Sequence, residues 1–124
     1  NVLSALDKVE MDRRSAVEGE ARFIRGAVYF ALVNNYAKAW GDGDNAANPG
    51  VPLVLTPTRG ITDANYPSRA SVAAVYTQVL EDLTRAETLL ATSGGGGIRA
   101  NRNVVTAFLA KVYLQQGNFT AARD

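Results

Sequence analysis

The sequence predicts an all-α fold: antiparallel helices interrupted by one long irregular insertion. Three observations carry that prediction. Apolar residues recur at helical spacing in each long segment. Gly, Pro and Asn gather between those segments and break them. A single short run, Val51-Pro52-Leu53-Val54-Leu55, reads as extended, held so by Pro52 and Pro57. The chain has 124 residues, 47% of them hydrophobic, enough for one globular domain with a modest core.

The elements follow in order. Val2, Leu3, Leu6 and Val9 have helical spacing and predict a first helix over 2–10. The charged stretch Glu10 to Arg14 reads as a connector. Ser15-Ala16-Val17-Glu18 fits a capping box, which would start a long helix running over 16–39. In it, Ile24, Ala27, Val28, Ala31 and Leu32 form one apolar face, and Phe23, Phe30 and Val33 add a second. A helix apolar on two faces is expected between neighbours. Glu18 and Glu20 near its start and Lys38 near its end suit the helix dipole. Gly26 costs about 1 kcal/mol against Ala there, which a close helix–helix approach would explain.

Residues 40–70 form the insertion, well beyond the 2–8 residues usual between bundled helices. Long insertions often carry function. Ser71 then reads as an N-cap for a helix over 72–91 with the stripe Val72, Val75, Tyr76, Val79, Leu80, Leu83, Ala86 and Leu90. Glu81 and Arg85 stand four apart on its wet face and are spaced to pair. Gly94 to Gly97 reads as a flexible linker. A last full helix is expected over 104–116, ended by Gly117, with another beginning near Phe119. The sequence starts without Met inside an amphipathic pattern and stops at Asp124 in the first turn of a helix, as expected of a piece of a larger protein.

Composition narrows the function. There is no His and no Cys, which removes the usual side chains of thiol catalysis, Ser-His-Asp triads, zinc sites and haem ligation. The expectation is therefore no enzyme, no cofactor and no metal. Thirteen basic residues against 12 acidic leave a net charge of +1, which gives no pull toward nucleic acid.

Leu109, Ala110, Tyr113, Gly117, Phe119 and Ala122 are similar in identity and spacing to the tetratricopeptide (TPR) pattern, a helix–turn–helix repeat. Small Ala110 and Ala122 would let two helices approach, Tyr113 and Phe119 would fill the gap beside the turn, and Gly117 would supply the turn's backbone freedom. Such a pair needs neighbouring helices to cover its faces.

Five blocks in order then resemble the SusD/RagB family of glycan- and nutrient-binding outer-membrane lipoproteins of Bacteroidota. Asn1 to Val9 resembles the helix before the long one. Gly19-Glu20-Ala21-Arg22-Phe23 and on to Tyr36 resembles the family's long-helix segment. Gly50-Val51-Pro52-Leu53-Val54 resembles its strand-like piece, Arg69 to Leu83 its next helix, and Arg99 onward its TPR helix. Gly26 departs from the Ala common there, and the Gly94–Gly97 run is looser than most family loops. The resemblance implies a SusD-like, TPR-like antiparallel helical repeat, with residues 1–124 a part of that helical domain. It also implies a parent protein at the cell surface that captures an oligosaccharide or peptide for a TonB-dependent (SusC-like) transporter. By the same resemblance, the family's lipidation Cys and the irregular half that supplies much of its ligand-binding surface would lie outside these residues, and the TPR half would pack against the transporter. A generic TPR scaffold for protein partners is the alternative; more repeats in an extended sequence would favour it.

Candidate binding residues are few. Trp40, the only Trp, follows Tyr36 at a helix–loop junction. An aromatic platform there could stack on a sugar, with Asn45 or Asp42 bonding its hydroxyls; the competing reading is that Trp40 packs the loop onto the helix end. Asp42-Gly43-Asp44-Asn45 hints at a calcium loop, but Ala46 and Ala47 break the ligand alternation, so a hydrated turn is expected. Gly94–Gly97 lacks the Lys and Ser/Thr of a phosphate loop. Glu81-Asp82 and Glu18/Glu20 resemble carboxylate pairs of glycoside hydrolysis, yet read as helix-surface residues. Arg22 and Arg25, three apart, could clamp an anion; pairing with Glu18 or another nearby acid is the simpler role.

Overall fold

The computed structural model describes residues 1–60, 66–92 and 98–123, and among them the only regular structure is helical. A 3-10 helix, Val2–Lys8, leads into α1, Met11–Tyr36; α2, Val72–Leu89, α3, Arg102–Gln115, and α4, Phe119–Arg123, follow. Among these residues the sole β-type bridge is an isolated antiparallel one between Pro49 and Ser71; the Val51 carbonyl accepts from Ala70 N–H, but the extended run after Gly50 forms no strand. The expected linker at Gly94–Gly97 and part of the expected insertion, 61–65, lie outside the described residues.

Each helix end has a local cause. The Asn1 side chain accepts from the Ser4 N–H, forming a capping box that starts the first turn; that turn is 3-10, not α. α1 begins at Met11, so the charged connector is helical and Ser15 sits inside the helix without capping it. Met and Arg are good helix formers, and Arg14 ties this first turn back by donating to the carbonyls of Asp7 and Val9. α1 stops at Tyr36, short of 39. In its last turns Asn34 and Asn35 donate to the carbonyls of Phe30 and Ala31, a side-chain competition that favours termination. Lys38 therefore falls beyond the helix.

Ser71 caps α2 as its sequence predicts, accepting from Ala74 N–H at 3.1 Å. Asn101 caps α3 in the same way through Val104. At the far end of α3, Gly117 takes φ +71°; its N–H reaches Leu114 and that of Asn118 reaches Tyr113, closing a Schellman motif.

The core lies along α2. Val72, Val75, Tyr76, Val79, Leu83 and Ala86 are buried, together with Tyr29, Phe30 and Val33 of α1 and Val105, Leu109 and Val112 of α3. α1 and α2 run antiparallel: Gly19 meets Leu90, Gly26 meets Leu83, and Phe30 meets Tyr76 edge-to-face with ring centroids 6.0 Å apart. α3 runs parallel to α1: Glu20 pairs with Arg99 just ahead of α3, Phe30 touches Phe108 midway, and Asn35 lies beside Gln115 at the far end. This is the TPR-like helical stack the sequence predicts.

Two expectations change. The principal buried face of α1 is Gly19, Gly26, Tyr29, Phe30 and Val33; Ile24 and Val28, read as core, are 59% and 51% exposed. Phe119, expected to fill the turn gap, is 71% exposed, while Tyr113 packs against the core.

Candidate functional site

The insertion is laced to the helices by backbone groups. Gly41 and Gly43 both take φ +85°, which lets the chain turn sharply after α1. The Asp44 carboxylate accepts from the Ala46 N–H, the Asp44 carbonyl from the Asn48 N–H and the Asp42 carbonyl from the Asn48 side chain, so 42–48 is a self-bonded turn. The carbonyls of Asn45 and Asn48 accept from Ala73 and Val72, the first free N–H groups of α2. Arg69 closes the arrangement by donating to the carbonyls of Gly50, Pro49 and Tyr36. Further on, the Tyr29 hydroxyl accepts from Val54 N–H at 2.7 Å and faces the Val54 carbonyl at 3.2 Å.

The three predicted binding residues sit at this end of α1 with different surroundings. Trp40 is half-buried, its ring centroid 4.7 Å from that of Tyr76. Asn45 is half-buried and its side-chain oxygen accepts from Gly41 N–H at 3.0 Å. Tyr36 is 70% exposed. Trp40 and Asn45 thus hold the loop, and the exposed aromatic ring is that of Tyr36. Beneath them, burial raises the Tyr76 phenol above its ordinary value, and its hydroxyl donates to Asn34 Oδ1 at 3.1 Å.

The charged residues cluster elsewhere. Asp82 is fully buried, not on the surface where the sequence put it. Arg25 grips it with Nε and Nη2 at 2.7 and 2.6 Å, and Arg22 adds a contact at 3.2 Å. Arg22 also donates to Glu18 at 2.8 Å, and Arg85 reaches Glu18 at 3.6 Å where Glu81 had been expected. The Asp82 hydrogen bond holds the Arg25 guanidinium above its ordinary value against the cost of burial. The two arginines therefore spend themselves on carboxylates, as the simpler reading had it, and no free anion clamp remains. A signal for Asp82 was present: it falls at the helical spacing of Val75, Val79 and Ala86, inside an apolar stripe and opposite two arginines. Glu20 pairs separately with Arg99 through two bonds of 2.7 and 2.6 Å.

Between α1 and α3 runs a groove of about 450 Å³, floored by Phe30 and Phe108 and rimmed by Asn35, Lys111 and Gln115. Among the described residues, no three His, Cys, Asp or Glu side chains gather into a potential metal site. No helix there is long and apolar enough to cross a membrane.

A family model described as SusD-like, starch-binding and associating with the outer membrane, matches residues 1–114. The chain belongs to the SusD-like family. No curated protein matches it by sequence. Among solved structures, a SusD superfamily protein from Bacteroides fragilis is similar at TM-score 0.86 and 25% identity, over 98% of this chain and 29% of that one. One from Bacteroides thetaiotaomicron gives 0.77 and 27%, over 97% and 26%. A laminarin-binding SusD-like protein gives 0.72 and 29%, over 97% and 24%. This SusD-like chain thus spans roughly a quarter of the length of these relatives. The family is described by binding to starch at the outer membrane and not by a reaction.

Proposed function

We propose that this SusD-like chain is the helical-repeat part of an outer-membrane lipoprotein that binds a glycan and delivers it to a TonB-dependent, SusC-like transporter. The family match along residues 1–114 carries the reading. The chain's own part is structural: it holds a rigid helical stack beside a ligand surface supplied mainly by the remaining length of such proteins. At the α1 end Trp40 and Asn45 secure the loop, and any sugar contact falls to the exposed ring of Tyr36. A laminarin-binding relative supports a glycan as the ligand class.

The test has two arms. The full parent protein, co-expressed with a SusC-like TonB-dependent transporter from the same genome, is expected to co-purify with it after detergent extraction; failure to do so under conditions where both fold overturns the partnership. The 124-residue chain, titrated calorimetrically with maltoheptaose and laminarin oligosaccharides, is expected to bind only weakly or not at all. Trp40 is the only Trp, so its emission should ignore the sugars and red-shift only on unfolding. A saturable emission change in the folded chain would place a sugar at the Trp40 loop instead.

A further inference from the structure

The end of α1 lacks the features that usually close a helix. Its last turn carries no basic residue, and the residue after it, Ala37, is extended (φ −126°, ψ 173°), not left-handed. The Ala37 N–H still reaches the Val33 carbonyl, but the Tyr36 carbonyl is one of the four that no later turn of the helix can satisfy. Its donor comes from 33 residues further along: Arg69 Nη2, at 2.8 Å. The same nitrogen stands 3.1 Å from the Pro49 carbonyl, and Nε donates to the Gly50 carbonyl. One planar guanidinium thus holds three carbonyls from two segments, and it sets its charge at the negative end of a 26-residue helix.

Because α1 and α2 are antiparallel, the end of the first lies beside the start of the second, and the loop engages both. The Asn48 and Asn45 carbonyls accept from the Val72 and Ala73 N–H groups at 2.9 Å each. Gly50 N–H donates to the Ala70 carbonyl at 2.6 Å, and Ala70 N–H donates to the Val51 carbonyl at 3.1 Å. Gly50 is seated tightly: a Cβ there would lie 2.9 Å from the carbonyl oxygens of both Ala70 and Ser71. Apolar anchors stand at the two edges of this stretch, Trp40 against Tyr76 before it and buried Val51 after it. Between them, residues 41–50 consist of Gly, Asp, Asn, Ala and Pro, with no large apolar side chain. Segments held by polar bonds with little buried apolar area open at less than the free energy of global unfolding.

We propose that Arg69 is a charge-dependent latch on this loop. Closed, it joins residues 41–50 to the ends of α1 and α2 as one rigid unit. Open, it lets those residues lift off together while the helical stack stays folded, with Trp40 and Val51 as the edges that remain attached. A general stabilising role for Arg69 would instead weaken every protected amide to the same degree. The latch is made of bonds within the chain, so it is independent of the transporter partnership and of any sugar contact at Tyr36.

The experiment is native-state hydrogen exchange, read by NMR on the isotope-labelled 124-residue chain. The reporters are the N–H groups of Gly50, Ala70, Val72 and Ala73, set against those of Val79 and Leu109 in the helical core. In Arg69→Met the four loop-side amides are expected to lose protection by about tenfold or more, the scale of one lost hydrogen bond to a charged group, with Val79 and Leu109 unchanged. Arg69→Lys keeps the charge but not the fork, so it should recover part of that protection. In the unsubstituted chain, raising the salt to about 0.5 M should weaken the same four amides relative to the core pair, because charge–dipole contacts near the surface are screened. Arg69→Met should show no such salt response. The salt arm needs no substitution and therefore tests the latch even where a variant fails to fold. Equal loss at Val79 and Leu109 would make Arg69 a general stabiliser. Unchanged protection at Gly50 and Ala70 in Arg69→Met, or loop-side amides that ignore salt in the unsubstituted chain, would show that the loop is held without it. Any one of these results overturns the proposal.

Discussion

Helix α1 meets two neighbours and treats them differently. Against α2 it is closed: Gly19 and Gly26 bring the backbones together, and a fully buried Asp82 binds two half-buried arginines. Against α3 it is open: Phe23 and Phe30 touch Phe108, then the helices part into a groove with Lys111 at its lip. The closed seam has small residues where a side chain would intervene and a charge where only one register satisfies it. The open side has exposed aliphatic residues and polar amides. A seam built that way specifies a fold, and a groove built that way leaves surface available to something else. Breaking the seam should therefore cost stability, and changing the groove should not.

The largest effect is expected at Asp82. Removing it leaves Arg25 and Arg22 half-buried without their acceptor, and breaking a buried ion pair from one side typically costs about 3–5 kcal/mol. Asp82→Ala should lose about that much in urea unfolding, toward the lower end because both arginines keep some access to water. Asp82→Asn keeps the volume and some hydrogen bonding and should lose less. A loss under about 1 kcal/mol for Asp82→Ala would mean that the ion cluster does not set the α1–α2 seam.

Next comes the close approach. A Cβ on Gly26 would lie 3.1 Å from Leu83 Cγ and 3.3 Å from the Val79 carbonyl oxygen, and the latter is backbone that cannot swing aside. Overpacking of this kind costs about 1–3 kcal/mol, against a helix-propensity gain of about 1 kcal/mol for Ala over Gly. Gly26→Ala should be destabilising by roughly 1 kcal/mol net, and Gly26→Val by more. A stabilised Gly26→Ala would show that the two helices can separate at little cost.

These two positions also show what the sequence made legible. The α2 stripe was readable because apolar residues recur every third or fourth position from Val72 to Leu90, and all of them but the half-buried Leu80 are buried in the core. Gly26 was readable as a close approach because Gly is costly in a helix without one. Asp82 was missed because a lone acid beside Glu81 looks like a wet helix face; only its partners on α1, some 57 residues away in sequence, make burial affordable. Both apolar faces of α1 were expected to be covered, and Ile24 and Val28 are not, for a related reason. Ile24, Val28 and Phe30 are all apolar, and spacing alone cannot say which face meets α2; the small residues at Gly19 and Gly26 decide it, by allowing approach on that side only. The start of α1 was misplaced because Ser15-Glu18 fits a capping box, while Arg14 anchoring the chain to Asp7 and Val9 is a contact the local pattern does not encode. Of the candidate site, the junction was legible from Trp40 and Tyr36, but which ring is buried depends on Tyr76, from the next helix.

Tyr76 gives a smaller, pH-dependent test of the closed seam. Its phenol is raised above the ordinary 10.0 by burial, so the folded chain keeps a proton that the unfolded chain has released. Stability contributed by the neutral phenol is complete below pH 10 and falls as pH rises beyond it, by at most about 1.4 kcal/mol per pH unit. Tyr76→Phe should flatten that alkaline limb. At neutral pH it also removes the hydrogen bond to Asn34, a loss of about 1 kcal/mol. An unchanged alkaline limb in the variant would mean that the hydroxyl is effectively solvated.

The smallest effect is expected on the groove side of the same helix, and it is the sharpest test of the comparison. Ile24 and Val33 are both aliphatic and both lie in the interior of α1, but Ile24 is 59% exposed and Val33 is 1%. Val33→Ala removes two buried carbons, worth about 0.8 kcal/mol each plus a cavity term, so it should cost roughly 2 kcal/mol. Ile24→Ser removes more carbon from a site that stays largely in water. Ser and Ile have similar helix propensities, and substitutions at such surface positions usually fall within about 0.5 kcal/mol. Ile24→Ser should therefore leave the urea midpoint almost unmoved while Val33→Ala shifts it clearly, in the same chain and the same buffer. If Ile24→Ser costs as much as Val33→Ala, the groove face of α1 is already covered in the free chain, and α1 has two closed sides instead of one.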